Sequence, residues 1–117
     1  RARARAARLG VALDLRLADL DRKPLCAPPC AAIVCVRFLP RHLGDWIAAT
    51  LAPGGRLLIE AYLARAGRAA TRSRLKPGEL PGLFLRDGLE IEYGREKRTP
   101  AGETVARLVL RAAVARR

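Results

Sequence analysis

His42, Glu60 and Tyr62 have side chains that can do chemistry, and their places in the sequence suggest a common site. Glu60 closes the run LAPGGRLLIE, residues 51–60, in which a Pro-Gly-Gly turn hands the chain into an aliphatic strand that ends on a carboxylate. Tyr62 follows two residues later, where strand alternation returns a side chain to the same face. Ligands of open α/β sheets bind beyond the carboxyl ends of the strands. Glu60 and Tyr62 are therefore expected at the mouth of such a site, in contact with substrate. His42 is the only histidine. An imidazole can take up a proton near neutral pH, so His42 joins them as a substrate-binding candidate, although a histidine here more often starts a surface helix. Cys26, Cys30 and Cys35 together with His42 would satisfy zinc by ligand number. They contain no CxxC pair, and Cys35 lies inside an apolar run, so no metal is expected. Three cysteines cannot all pair internally, and they read as reduced thiols of an intracellular, cytoplasmic protein.

These residues need elements to position them. Residues 1–9, RARARAARL, are helix formers with no breaker, and Gly10 stands where a helix C-terminal glycine belongs. Residues 11–19 alternate, with Val11, Leu13, Leu15 and Leu17 on one side and Asp14 and Arg16 on the other, which predicts an edge strand. The proline-rich residues 20–30 form a loop. Residues 31–36, AAIVCV, are continuously apolar, as suits a parallel strand covered on both faces. Pro40 fits a helix's first turn. Leu43, Trp46, Ile47 and Leu51 then fall on one helical face, until Pro53-Gly54-Gly55 stops the helix. Residues 56–62 are a second central strand, and 63–78 a long polar loop. Pro77-Gly78-Glu79 opens a short helix with Leu80, Leu83 and Phe84 on one face. Residues 89–98 and 103–114 alternate about the turn at 99–102, as an antiparallel hairpin does. Strands that alternate with helices indicate an α/β sheet. Its expected spatial order is 31–36, 56–62, 103–114, then 89–98 at the edge.

Composition narrows the function classes. Half of the 117 residues are hydrophobic, enough for one packed domain. No apolar run reaches the ~18 residues of a membrane span, and no signal peptide is visible. The 23 basic and 11 acidic residues leave a net charge of +12, a balance that invites nucleic acid. Arginine is spread along the chain, however, and aromatic residues for base stacking are scarce, so a nucleic-acid role is not the favoured one. The chain begins at Arg1 and contains no Met, which reads as a processed or truncated chain. The oligomeric state leaves no mark in the sequence.

Several stretches, in order, carry a resemblance. "LRLADLD" is similar to a third-strand motif in which an acid just past the strand holds the adenine amine. "AAIVCVRFLPRHL" is similar to a fourth strand and its following loop, and "LAPGGRLLIEAY" to the turn and strand after the next helix. "LKPGELPGLF" followed by "LEIEYGRE" is similar to the ending of a small tellurite-resistance-like branch. Taken together, they resemble the C-terminal portion of a class I S-adenosylmethionine-dependent methyltransferase. The resemblance implies a partial Rossmann-like fold, mostly parallel with a C-terminal antiparallel hairpin, as a single domain over residues 1–117. It implies S-adenosyl-L-methionine as cofactor and a small molecule as methyl acceptor. Asp19 and Leu20 would meet the adenine, with Asp21 a rival for Asp19, and Arg37 and Phe38 would flank the methionine part. Glu60, Tyr62 and His42 would face the acceptor, and no catalytic residue is assigned. The family's glycine-rich turn and ribose-binding acid have no counterpart in residues 1–10, so the resemblance implies an N-terminally truncated domain, inactive alone. The alternative is a non-enzymatic basic α/β module that binds an acidic partner or RNA.

Overall fold

The computed structural model describes residues 1–20 and 27–114. Asp21 and Cys26 lie outside these. Arginine and alanine carry the first helix, α1 (Ala2–Leu9). It ends where Gly10 takes a left-handed conformation at φ 68°. There the Val11 N–H reaches Ala6 O at 2.9 Å and the Gly10 N–H reaches Ala7 O at 3.2 Å. This pair of bonds closes the last turn, and a residue without Cβ meets no steric penalty in making it.

Residues 11–19 correct the first expectation, because they belong to no strand. Their alternation is real, yet Val11, Leu13, Leu15 and Leu17 are all exposed, Leu17 completely. A period-two pattern states only which side chains could share a face. It becomes a strand only when a neighbouring strand pairs with it, and among the described residues no strand does.

The sheet is built from β1 (Cys30–Val36), β2 (Leu51–Leu63), β3 (Arg74–Leu75), β4 (Leu89–Arg98) and β5 (Thr104–Ala112). Its order is β1-β2-β5-β4, with the two-residue β3 also on β2. β1 and β3 run parallel to β2, whereas β5 runs antiparallel to both β2 and β4. The sheet is therefore evenly mixed rather than mostly parallel. Only the β1–β2 crossover, through α2 (Gly44–Thr50), has the helix that a parallel return requires.

The Pro-Gly-Gly segment is also corrected. It does not stand outside the sheet as a turn; β2 already begins at Leu51. Cys30 pairs with Leu51, but Ala32 pairs with Arg56, so the extra residues of β2 bulge between these contacts. Gly54 supplies a φ of 76°. Gly55 lies so close to β1 that a Cβ would stand 2.8 Å from Cys30 O.

The core lies on one face of the sheet. Leu57, Ile59 and Ala61 of β2 pair with Leu110, Leu108 and Ala106 of β5. Ile47 of α2 and Leu80 and Phe84 of α3 (Glu79–Phe84) close over them, all nearly inaccessible. Ile33 and Cys35 of β1 add to the same layer. Among the described residues no helix is long and apolar enough to cross a membrane.

Candidate functional site

β1 and β2 run in the same direction, so their carboxyl ends share one rim. Val36 is in register with Glu60, and Arg37 follows immediately. The Arg37 N–H donates to Glu60 O at 2.7 Å, which extends the ladder by one bond. Arg37 then turns sharply at φ 57°, the one non-glycine among the described residues with a positive φ. A residue with a Cβ is strained there, and such strain gathers at functional sites.

Glu60 organises the rim. Its Oε2 accepts a hydrogen bond from Arg107 Nε at 2.7 Å and its Oε1 one from Arg37 Nε at 3.4 Å. The Arg107 hydrogen bond holds the Glu60 carboxyl below its ordinary pKa against the opposing effect of burial, and Arg37 adds to the lowering. A carboxylate so held is ionised at neutral pH and a poor proton acceptor. What Glu60 does here is fix two guanidinium groups. One of them, on Arg37, lies 5.1 Å from the centre of the Tyr62 ring, and that of Arg74 lies 5.0 Å from the same ring. Both distances are within cation–π range.

Behind Tyr62 stands a second carboxylate. Arg74 grips Glu103 with two hydrogen bonds of 3.0 and 2.9 Å, and Arg65 adds one of 3.0 Å. These arginines, Arg74 foremost, lower the Glu103 carboxyl from 4.5 to about 2. Arg74 also donates to Leu63 O at 2.9 Å, tying the segment after β2 to the strand it leaves. A cleft of about 550 Å³ opens there, lined by Arg65, Arg68, Thr71, Ser73 and Arg74.

Arg41, in the loop after β1, braces the same segment. It donates to Thr71 O at 2.6 Å, Arg74 O at 2.9 Å and Arg72 O at 3.2 Å, and it pairs with Glu79. Burial pulls the Glu79 carboxyl upward, but the hydrogen bonds from Arg41 and the Lys76 N–H outweigh it and leave the carboxyl lowered.

His42 and Leu20 meet. His42 Nε2 lies 2.7 Å from Leu20 O. A carbonyl oxygen only accepts, so Nε2 carries the hydrogen, and in the neutral ring Nδ1 is the accepting nitrogen. This contact brings the Asp19–Leu20 segment to the loop after β1, although residues 11–19 enter none of the strand pairings among the described residues. Leu20 also packs on the core. Asp19 and Phe38 are exposed beside their partners in sequence.

The structure therefore forms two groups. Arg37, Glu60 and Tyr62 form one, and Leu20 and His42 the other, with Asp19 and Phe38 adjoining them in sequence. Sequence reasoning missed Arg107, Arg74, Glu103 and Arg41. The three arginines had no signal beyond an excess of arginine spread along the chain, and Glu103 had none. Among the described residues, no group of three or more metal-ligating side chains gathers. Burial raises the Cys35 thiol, so it stays protonated.

The sequence matches no family model and no curated protein. Solved structures do match. The cyclase SpnF superposes with a TM-score of 0.74 at 16% identity, over 97% of this chain and 62% of that one. An S-adenosylmethionine-dependent methyltransferase from Methanosarcina mazei superposes at 0.64 with 13% identity, over 86% and 67% of the two chains. A structure from the conversion of a disulfide bond into a thioacetal group in echinomycin biosynthesis gives 0.67 and 13%, over 96% and 61%. The chain has a methyltransferase-like fold. Identities this low establish that fold alone, and a fold hosts more than one chemistry, as a cyclase among the matches illustrates. The chain spans about three fifths to two thirds of the three solved chains.

Proposed function

We propose that the carboxyl rim of β1 and β2 forms part of a site for S-adenosyl-L-methionine and a small methyl acceptor. On this reading the chain is the C-terminal portion of an S-adenosylmethionine-dependent methyltransferase, and residues beyond these 117 complete the cofactor site. The observation that supports it is the left-handed Arg37 at the carboxyl end of a parallel strand, bonded to Glu60 on the neighbouring strand.

The residues present suit such a ligand. The Asp19 carboxylate can accept from an amine, Leu20 and Phe38 offer apolar surface to a ring, and Arg37 offers a guanidinium to a carboxylate. When bound, the cofactor supplies an electrophilic methyl group. The chain's own residues bind and align. Glu60 keeps Arg37 in place, Tyr62 presents its ring and hydroxyl toward an acceptor, and His42 Nδ1 can take up the acceptor's proton.

The test is Asp19→Ala in a longer chain that contains these residues. Loss of one hydrogen bond to the adenine should cost about 1–3 kcal/mol of cofactor affinity. An unchanged dissociation constant would remove Asp19 from the site and shift attention to Asp21.

A further inference from the structure

The segment after β2 is pinned from both ends. The Ala64 N–H donates to Leu75 O at 2.7 Å, and Tyr62 and Leu63 pair with Arg74 and Leu75, so the loop closes on itself. Within it Gly67 turns at φ 74°, and the Arg68 N–H donates to Arg65 O at 2.9 Å. Thr71 Oγ1 accepts from the Ser73 and Arg74 N–H groups at 3.3 and 3.1 Å. Arg41 takes the carbonyl oxygens of Thr71, Arg72 and Arg74. The cleft of about 550 Å³ in this loop is therefore shaped by bonds that need no ligand. Such preorganisation lowers the cost of binding.

With those carbonyl oxygens turned to Arg41, what the cleft presents is hydrogen-bond donors. Arg65, Arg68 and Arg74 line it together with Ser73, and among the described residues no acid does. Glu103 is held by Arg74 and Arg65. Arg65 gives it one hydrogen bond, which leaves most of the guanidinium's donors available. Arg68 is exposed and enters no ion pair among the described residues. Glu79 and Glu96 also reach the segment, but beyond the cleft. Glu79 binds Arg41 and the Lys76 N–H, and Glu96 accepts from the Gly78 N–H. Three guanidiniums on one carboxylate leave an excess of two positive charges at the cleft.

We infer that this cleft binds the phosphate group of a small phosphate monoester, with Arg65 and Arg68 as its direct ligands. A phosphate monoester carries about two negative charges near pH 7, which matches the excess better than a carboxylate does. Guanidiniums bind phosphate oxygens in pairs. The volume suits a small molecule rather than a bare ion. No aromatic ring lines the cleft, so it offers no stacking to the bases of a nucleic acid. Arg74 links the cleft to the rim, since its guanidinium also lies 5.0 Å from the centre of the Tyr62 ring. A phosphate held here places the rest of its molecule beside Tyr62, where the methyl acceptor is proposed to lie. Its role as the acceptor's anchor rests on the proposed function; the anion site itself does not. Strands that complete the sheet would join the free edge of β1, whereas the cleft is closed by Arg74 on Glu103, at the start of β5.

The test uses a longer chain that contains these residues, titrated with phenyl phosphate, benzoate and S-adenosylhomocysteine. Phenyl phosphate should bind roughly tenfold or more tighter than benzoate, with amide shifts centred on residues 64–74, and salt should weaken it. Arg68→Ala should weaken it roughly tenfold. Arg56→Ala, at the other end of β2, should change it by less than about twofold. No binding, benzoate bound as tightly, or an equal loss in Arg56→Ala would overturn the inference. So would a single-stranded oligoribonucleotide bound more tightly than phenyl phosphate, which would make the cleft part of a nucleic-acid surface. Phenyl phosphate in the cleft, with S-adenosylhomocysteine leaving the rim unshifted, would keep the anion site and overturn its role as the acceptor's anchor. S-adenosylhomocysteine at the rim with phenyl phosphate unbound would overturn the inference and leave the cofactor reading standing.

Discussion

Glu60 and Arg107 face each other across β2 and β5, with Arg107 Nε 2.7 Å from Glu60 Oε2. Arg37 takes the other oxygen. Three chain segments thus meet at one carboxylate. Glu60→Gln keeps the shape but removes the charge that both guanidiniums share. It should lower stability by about 1 kcal/mol, the modest size expected for partly exposed charged pairs. Urea unfolding checks this, with a lower midpoint at unchanged slope. Arg107→Ala should cost a similar amount, and the double variant less than the sum. Full additivity would show that the two residues do not interact.

Acid should unfold this protein through its glutamates. The Glu103 carboxyl stands at about 2 in the fold against an ordinary 4.5. The unfolded chain therefore takes up the proton first as pH falls. The stabilisation is fully present above about 4.5 and is lost as pH falls toward 2. Glu60, Glu79 and Glu92 are lowered too and act in the same direction. Thermal unfolding followed from pH 6 to pH 2 should show a steady fall in stability, shallower in Glu103→Gln. An identical slope in that variant would exclude Glu103 as a contributor.

Two glycines should respond oppositely to alanine. At Gly55 a Cβ would stand 2.8 Å from two backbone oxygens, those of Cys30 and Ala52. Gly55→Ala must push β1 away from the β2 bulge, at a cost of roughly 1–3 kcal/mol. At Gly82, inside α3, nothing lies within 4 Å of the added atom. Gly82→Ala should stabilise by roughly 0.5–1 kcal/mol. Denaturant midpoints that move in the same direction would contradict this reading of the bulge.

The parts of this fold that were legible in the sequence are those whose cause is local. Helix α1 ends at Gly10 because the left-handed turn needs a glycine there. β1 was visible as an unbroken apolar run and β4 as an alternating one. Residues 11–19 carry an equally clear alternation and form no strand, because pairing depends on a neighbour and not on the pattern. β3 escaped notice because two residues in an arginine-rich stretch have no period; only the complete burial of Leu75 marks it. The Pro-Gly-Gly segment looked like a turn because its composition is that of one. The bulge depends on where Cys30 and Ala32 lie on the opposing strand.

The same division holds at the site. Glu60 and Tyr62 could be placed at a rim because they end an aliphatic strand, and Arg37 through the resemblance. Their partners could not. Arg107 lies 47 residues from Glu60 and Arg37 lies 23 from it, and no local pattern encodes which arginine crosses which strand. The meeting of His42 with Leu20 is of the same kind, a contact that depends on how two loops pack.

The most direct measurement of the central proposal is an amide chemical-shift map of the 117-residue chain titrated with S-adenosylhomocysteine to millimolar concentration. The expected result is weak binding, undetectable by calorimetry at micromolar protein, with shifts confined to Asp19, Leu20, Arg37, Phe38 and the Glu60–Tyr62 end of β2. Shifts that fall instead in the cleft of residues 64–74, or no shifts at all, would contradict a cofactor site at the carboxyl rim of β1 and β2.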